Sequence, residues 1–135
     1  MKAFLDTNIL VYAQEAGARG DVARELVADG GMISVQILNE LASVLSRKLK
    51  RDWSEVAAVL EDVRAALDDP LPVTLPLHLS ALEFARDHNV PFYDGLILAA
   101  AIEAGCETLY SEDFQHGRRF GDCTIVNPFL AGDRP

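Results

Sequence analysis

The chain has 135 residues, half of them hydrophobic and 24% charged, which excludes a disordered polymer and fits one domain with a substantial core. Its net charge of −9 argues against general coating of nucleic acid, since polyphosphate is repelled unless cations or a local basic patch intervene. The longest apolar run, LILAAAI at residues 96–102, is far too short to span a membrane and no signal-like segment opens the chain, so a soluble, cytoplasmic protein is expected.

Ala3, Phe4 and Leu5 form a short apolar run that ends at the turn-forming Asp6, Thr7 and Asn8, and they predict a buried first strand. Helical spacing follows over residues 9–14. Asp21 is a candidate N-cap for a helix reaching about Ala28 and closed by Gly30 and Gly31. MISV at 32–35 predicts a second strand, after which Ser34 can cap a helix on which Ile37, Leu41, Val44, Leu45 and Lys48 share one face. Asp52 and Glu55 make an acidic capping box for the next helix, which stops before Pro70, and Trp53 is expected to dock it. LPVTLPL at 71–77 carries Pro72 and Pro76, so a strand there is short or at an edge. A helix from about His78 to His88 follows, then a connector at 89–94, then an apolar helix ending at Gly105. TLYS at 108–111 and TIVN at 124–127 read as the last strands, and Pro128 begins the end of the fold.

Short apolar strands alternating with amphipathic helices predict a three-layer α/β/α sandwich around a mainly parallel sheet. One domain over residues 1–130 and a polar tail at 131–135 are expected. Cys106 and Cys123 are too few for a disulfide framework and read as small core residues. In parallel sheets ligands gather beyond the carboxyl ends of the strands where the connection order reverses, so Asp6, Glu112 and Asp113, which directly follow strands, are suspects.

Each acid also has an ordinary explanation. Asp6 can be a turn former or cap, and Glu112 and Asp113 can belong to a polar loop. Asp94 heads a helical stripe of Ile97, Leu98 and Ala101, and an unpaired carboxylate on so apolar a helix needs a partner, a proton or a metal. Glu40 lies roughly 40° from Val44 around its helix and so borders the apolar face. All four positions fall at one predicted rim of the sheet. Two bare carboxylates about 4 Å apart repel by roughly 4 kcal/mol at an effective dielectric of 20, so such a cluster calls for neutralisation. Mg²⁺ or Mn²⁺ is the natural counter-charge for oxygen ligands, and the chemistry it supports is in-line hydrolysis of a phosphodiester.

The stretches FLDTNILVYA, LNELASVLSRKL with Glu40, YDGLILAAAIEAGC and LYSEDFQHGRRFGDCTIVNPF together resemble the PIN-domain family, in its group of VapC-like ribonuclease toxins. The resemblance spans nearly the whole chain. It implies an α/β/α fold, a Mg²⁺ or Mn²⁺ site, cleavage of RNA, neutralisation by a cognate antitoxin protein and a homodimer. The family's four acidic motifs fall on Asp6, Glu40, Asp94 and the Ser111-Glu112-Asp113 stretch, where Asp113 is preferred to Glu112 because adjacent acids in an extended loop point apart. Direct metal ligation is expected of Asp6 and Asp94. Glu40 and Asp113 are expected to bind the ion or its waters, with Asn8 and Ser111 as supporting donors and Thr7 bonded within its turn. An Arg presented by the antitoxin near the acids would pair with them and displace metal.

His116 reads as an incidental loop residue, and His78 and His88 as residues bounding a helix. Arg47, Lys48, Lys50 and Arg51, together with Arg118 and Arg119, are the concentrated positive charges available to a polyanionic substrate. Two other functions fit parts of the pattern. A haloacid-dehalogenase-like phosphatase would use Asp6 as nucleophile, although the second acid usual two residues later is here Asn8. A PIN-like scaffold that binds RNA or protein without cutting is the other.

Overall fold

The computed structural model describes residues 2–130, so the expected polar tail at 131–135 lies outside the described residues. Strand β1 (Ala3–Leu5) leads at once into α1 (Thr7–Tyr12), which starts two residues earlier than helical spacing suggests because Asp6 itself caps it. Helix α2 (Ala18–Ala28) begins before Asp21, with Gly17 as N-cap, and Asp21 pairs instead with Arg24 three residues on at 2.6 Å. Helix α3 (Val35–Arg47) follows Ser34, whose side chain makes no capping bond, and buries Ile37, Leu41 and Leu45. The reciprocal capping box of Asp52 and Glu55 opens α4 (Trp53–Ala66).

Helix α5 (Leu75–His88) starts three residues before the expected position. Thr74 Oγ1 accepts from Leu77 N at 3.2 Å, and Pro76 sits in the first turn, where a missing N–H costs nothing, so the proline opens a helix instead of punctuating a strand. Helix α6 (Phe92–Glu103) likewise begins inside the expected connector, and Gly95 to Ala101 are all buried. Gly105, at φ 75°, turns the chain out of it. The sheet is completed by β2 (Thr108–Tyr110), β3 (Arg119–Phe120) and β4 (Cys123–Val126).

Strand order is β1-β2-β4-β3, with β1, β2 and β4 parallel and the short β3, not foreseen from sequence, antiparallel to β4. The expected strand at 32–35 is reduced to one parallel bridge on the other edge of β1, where Leu5 N donates to Met32 O at 3.0 Å. Leu71 adds one further bridge, to Ser34, and 71–77 forms no strand. From β1 the chain therefore crosses first to Met32 on one side and later, through α6, to β2 on the other. That reversal places the switch point at the carboxyl end of β1.

The architecture is a mainly parallel α/β sheet flanked by helices, and Phe4, Leu5, Leu109 and Ile125 of the sheet are buried against Ile9, Leu41 and Leu98 of the helices. Both cysteines are buried, and burial pushes the Cys106 thiol up to about 11. Trp53 departs from expectation: it is 71% exposed at the start of α4 and docks nothing, because Val56 and Val63 face the core in its place. No helix of the described residues is long and apolar enough to cross a membrane.

Helix α6 lies so close to α5 that a Cβ added at Gly95 would stand 2.9 Å from Ala81 O and 3.3 Å from Ala85 N. Gly95→Ala should therefore lower stability by roughly 1–3 kcal/mol despite alanine's better helix propensity, as read by urea denaturation. Stabilisation of the alanine variant would contradict this packing.

Candidate acidic site at the carboxyl ends of the strands

The site is built outward from Asp6. Asp6 N donates to Tyr110 O at 3.0 Å, continuing the β1–β2 ladder by one bond, and the residues that leave the two strands then meet. Asp6 Oδ2 accepts from Ser111 Oγ at 2.6 Å, Oδ1 accepts from Thr7 N at 2.6 Å, and the residue is 2% exposed. Desolvation by burial pushes its carboxyl from the ordinary 3.8 up to about 7. The bonds from Ser111 and Thr7 N pull the other way, and the nearby charges of Asp113 and Glu40 add to the rise.

Two further acids reach the same place through the next two residues. Thr7 bonds within its turn through its N–H, while its Oγ1 donates to Glu40 Oε1 at 2.5 Å, across to α3. Asn8 Nδ2 donates to Asp113 Oδ2 at 3.1 Å. Asp113 N in turn donates to Ser111 Oγ at 3.0 Å, which closes a short chain from Asp113 to Asp6. Asp94 arrives on the first turn of α6; it is not the cap, which is Pro91. Its carboxyl is raised by burial and then by the charges of Asp113 and Glu40, against the pull of the helix N-terminus. The fold thus brings both Asp6 and Asp94 within electrostatic reach of Glu40 and Asp113.

Glu112 turns elsewhere. Both of its carboxylate oxygens accept from Tyr12 Oη, at 2.9 and 3.1 Å, and Tyr12 Oη also accepts from Arg19 at 2.9 Å. Adjacent acids therefore serve different partners, with Asp113 facing Asp6 and Asp94. Sequence reasoning missed Tyr12, Arg19 and Gln36. The Gln36 amide donates to Glu40 Oε2 and to Tyr93 O, both at 3.1 Å. Its spacing of four from Glu40 was the available signal.

An open groove of about 550 Å³ runs over Glu40, Thr7, Asn8, Asp113, Tyr12 and Lys48. Lys48 also lines an adjoining groove with Arg47 and Lys50, so the first basic cluster is continuous with the acids. Arg119 lies apart, in a cleft with Cys106, Glu107 and Thr108 at the amino ends of the strands, and Arg118 stacks on Phe120 at 4.5 Å. His116 Nδ1 accepts from Asn127 N at 3.0 Å, and His78 and His88 pack on Phe92 and on Phe84 and Phe120.

Chemically, four carboxylates with hydroxyl and amide neighbours make an all-oxygen set, which suits a hard divalent cation. Among the described residues no three acidic, His or Cys side chains stand in an arrangement that would hold a metal ion without movement. Like charges without a counter-ion splay apart, and Thr7, Asn8, Gln36 and Ser111 occupy carboxylate lone pairs. Asp113, the acid at the end of the Asn8 bond, is exposed.

Comparison with known proteins bears on the family and the fold. A family model described as the PIN domain matches residues 3–119. No curated protein sequence matches significantly. Among solved structures the chain is similar to Mycobacterium tuberculosis VapC20, a sarcin-ricin loop cleaving toxin, at 25% identity and a TM-score of 0.68 over 83% of this chain and 90% of that one. A toxin-antitoxin complex from Klebsiella pneumoniae shares the fold at 18% identity and a TM-score of 0.69, covering 95% of this chain and 98% of that one. VapBC2 from Rickettsia felis, bound to a DNA fragment from its promoter, does so at 21% identity and a TM-score of 0.67, covering 93% and 97%.

The raised carboxyl of Asp6 has a sign that stability measurements can read. Its protonated form is favoured by folding, so its contribution is fully present below about pH 4 and is lost as pH rises through about 7. A rise from 3.8 to about 7 is at most about 4 kcal/mol. In chelator, Asp6→Asn should therefore be more stable than the parent at pH 8 and lose that advantage toward pH 4. Equal advantage at both pH values in thermal melts would refute the assignment.

Proposed function

The chain belongs to the PIN domain family, and from that premise we propose that it is a metal-dependent endoribonuclease of the VapC-like toxin group, held in check by a partner antitoxin. The observation that supports this best is the convergence of Asp6, Glu40, Asp94 and Asp113 at the switch point of the sheet, joined through Thr7, Asn8 and Ser111. Similarity to a sarcin-ricin loop cleaving toxin supports structured RNA as the substrate class, and the fold shared with two toxin-antitoxin assemblies is in keeping with a protein partner. Cytoplasmic action and a homodimeric state complete the proposal.

Asp6 and Asp94 are the direct ligands in this reading, with Glu40 and Asp113 holding the ion or its waters. A bound Mg²⁺ or Mn²⁺ supplies Lewis acidity at the phosphate and lowers the pKa of water. Asp6 is enclosed and held at both oxygens, which fixes its direction but leaves it no room to act as a mobile base. Glu40 and the exposed Asp113 orient the attacking water, whose oxygen bonds to phosphorus as the bond to a ribose oxygen breaks. Lys48, on the rim of the same groove, binds a neighbouring backbone phosphate. Asn8 holds Asp113 and the loop backbone, an amide in the place where a haloacid-dehalogenase-like phosphatase needs its second acid.

Purified protein should cleave a structured RNA stem-loop with Mn²⁺ or Mg²⁺ and stop on chelation, and Asp94→Asn should lower the single-turnover rate at least about a hundredfold. Cleavage that persists in chelator would sink the proposal. Lys48→Gln should raise KM with little change in kcat and reduce the salt slope of RNA binding by about one. Loss of kcat at unchanged KM would remove Lys48 from substrate binding.

A further inference from the structure

Glu40 sits mid-helix on a side chain with three rotatable bonds, yet both its oxygens are held, Oε1 by Thr7 and Oε2 by Gln36. The same Gln36 amide nitrogen donates at 3.1 Å to the carbonyl of Tyr93, the residue before Asp94. One NH₂ group therefore ties the carboxylate carried by α3 to the first turn of α6, which carries the next acid. Gln36 is only 5% exposed, and its other amide atom, Oε1, is buried with no hydrogen-bond partner among the described residues. The amide cannot relieve this by flipping, because Oε1 would then face the Glu40 carboxylate and a carbonyl oxygen. An orphaned buried acceptor is unfavourable, and an apolar side chain of the same size would avoid it, so Gln36 is a poor choice for stability alone.

We propose that Gln36 is a positioning residue that sets the spacing and direction of the Glu40 and Asp94 carboxylates for a divalent cation, an inference that rests on the nuclease reading of this site. It touches neither RNA nor the reacting atoms and acts through the two acids it brackets. Losing such an outer bond weakens metal binding by about ten- to a hundredfold in proteins generally. Because the bracket is independent of the substrate, the loss should appear in metal titration without RNA. Stability should change little, since the variant loses two donated bonds but no longer buries an unpaired carbonyl.

The test titrates Mn²⁺ alone into the full chain by calorimetry, with melting in chelator measured beside it. Gln36→Met keeps the side-chain volume and removes both donors. The expected result is Mn²⁺ affinity at least about tenfold weaker with a melting temperature close to the parent's. Gln36→Leu, which also removes both donors and adds no charge, should show the same loss and serves if the Met variant does not fold. Parent-like affinity in either folded variant overturns the positioning role while the nuclease reading stands. A parent protein that neither binds Mn²⁺ nor cuts RNA overturns both. A drop in melting temperature at unchanged affinity would make Gln36 an ordinary packing residue and end the proposal.

Discussion

The pairing of β1 with β2 at their carboxyl ends is the constraint from which the site follows. One extra ladder bond, from Asp6 N to Tyr110 O, carries the two strands past their last residues and sets Asp6 against Ser111. The three residues after β1 then divide the work: Asp6 takes Ser111, Thr7 takes Glu40 and Asn8 takes Asp113. Three consecutive side chains thus reach two separate parts of the chain, α3 and the loop after β2, the links to Ser111 and Asp113 each spanning 105 residues in sequence. They can do so because α1 starts at Thr7, which sends successive side chains in directions about 100° apart from one buried pivot.

That pivot is unfavourable for folding when it carries charge. A carboxyl pushed to about 7 by burial, beside two other acids, weakens the folded state near neutral pH, and the rest of the molecule must offset it. The offset is visible in α6, whose residues 95–101 are all buried, and in its close approach to α5 at Gly95. The same packing fixes the first turn of α6, so the rigidity that compensates for the site also aims Asp94. Gln36 belongs to this pattern, because its buried, unpaired Oε1 accompanies an NH₂ group that serves the acids.

The fold class was legible because its elements left local marks, and the four acids were candidates because they follow strands or border apolar helix faces. Apolar β1 ends at a polar turn, α3 repeats Ile37, Leu41 and Leu45 at helical spacing, and Asp52 with Glu55 announces α4. The errors have local causes too. Pro76 looked like a strand breaker because its role depends on Thr74 capping the helix ahead of it. The strand expected at 32–35 is cut short because it lies between a glycine pair and the cap of α3. Strand β3 is two residues long and carries no alternation to detect. Trp53 was read from its size, whereas its place at the first position of α4 points it to solvent. In the site, spacing reveals that Gln36 and Glu40 share a helix face, but the Tyr93 carbonyl belongs to α6 and comes within reach only through tertiary packing.

Charge distribution reconciles an acidic protein with a polyanionic substrate. At physiological ionic strength fields from exposed charges fade over about 8 Å, so the net −9 acts weakly at a distance while charges inside a groove act at full strength on what enters it. Lys48 stands in the groove of Glu40 and Asp113 and is shared with the adjoining groove of Arg47 and Lys50. Arg119, in its cleft at the opposite ends of the strands, cannot serve the same groove. For the proposed ribonuclease, weak long-range attraction with strong local contact would favour RNA whose shape brings a phosphate to the acids, so the placement of the few lysines and arginines would matter more than their number.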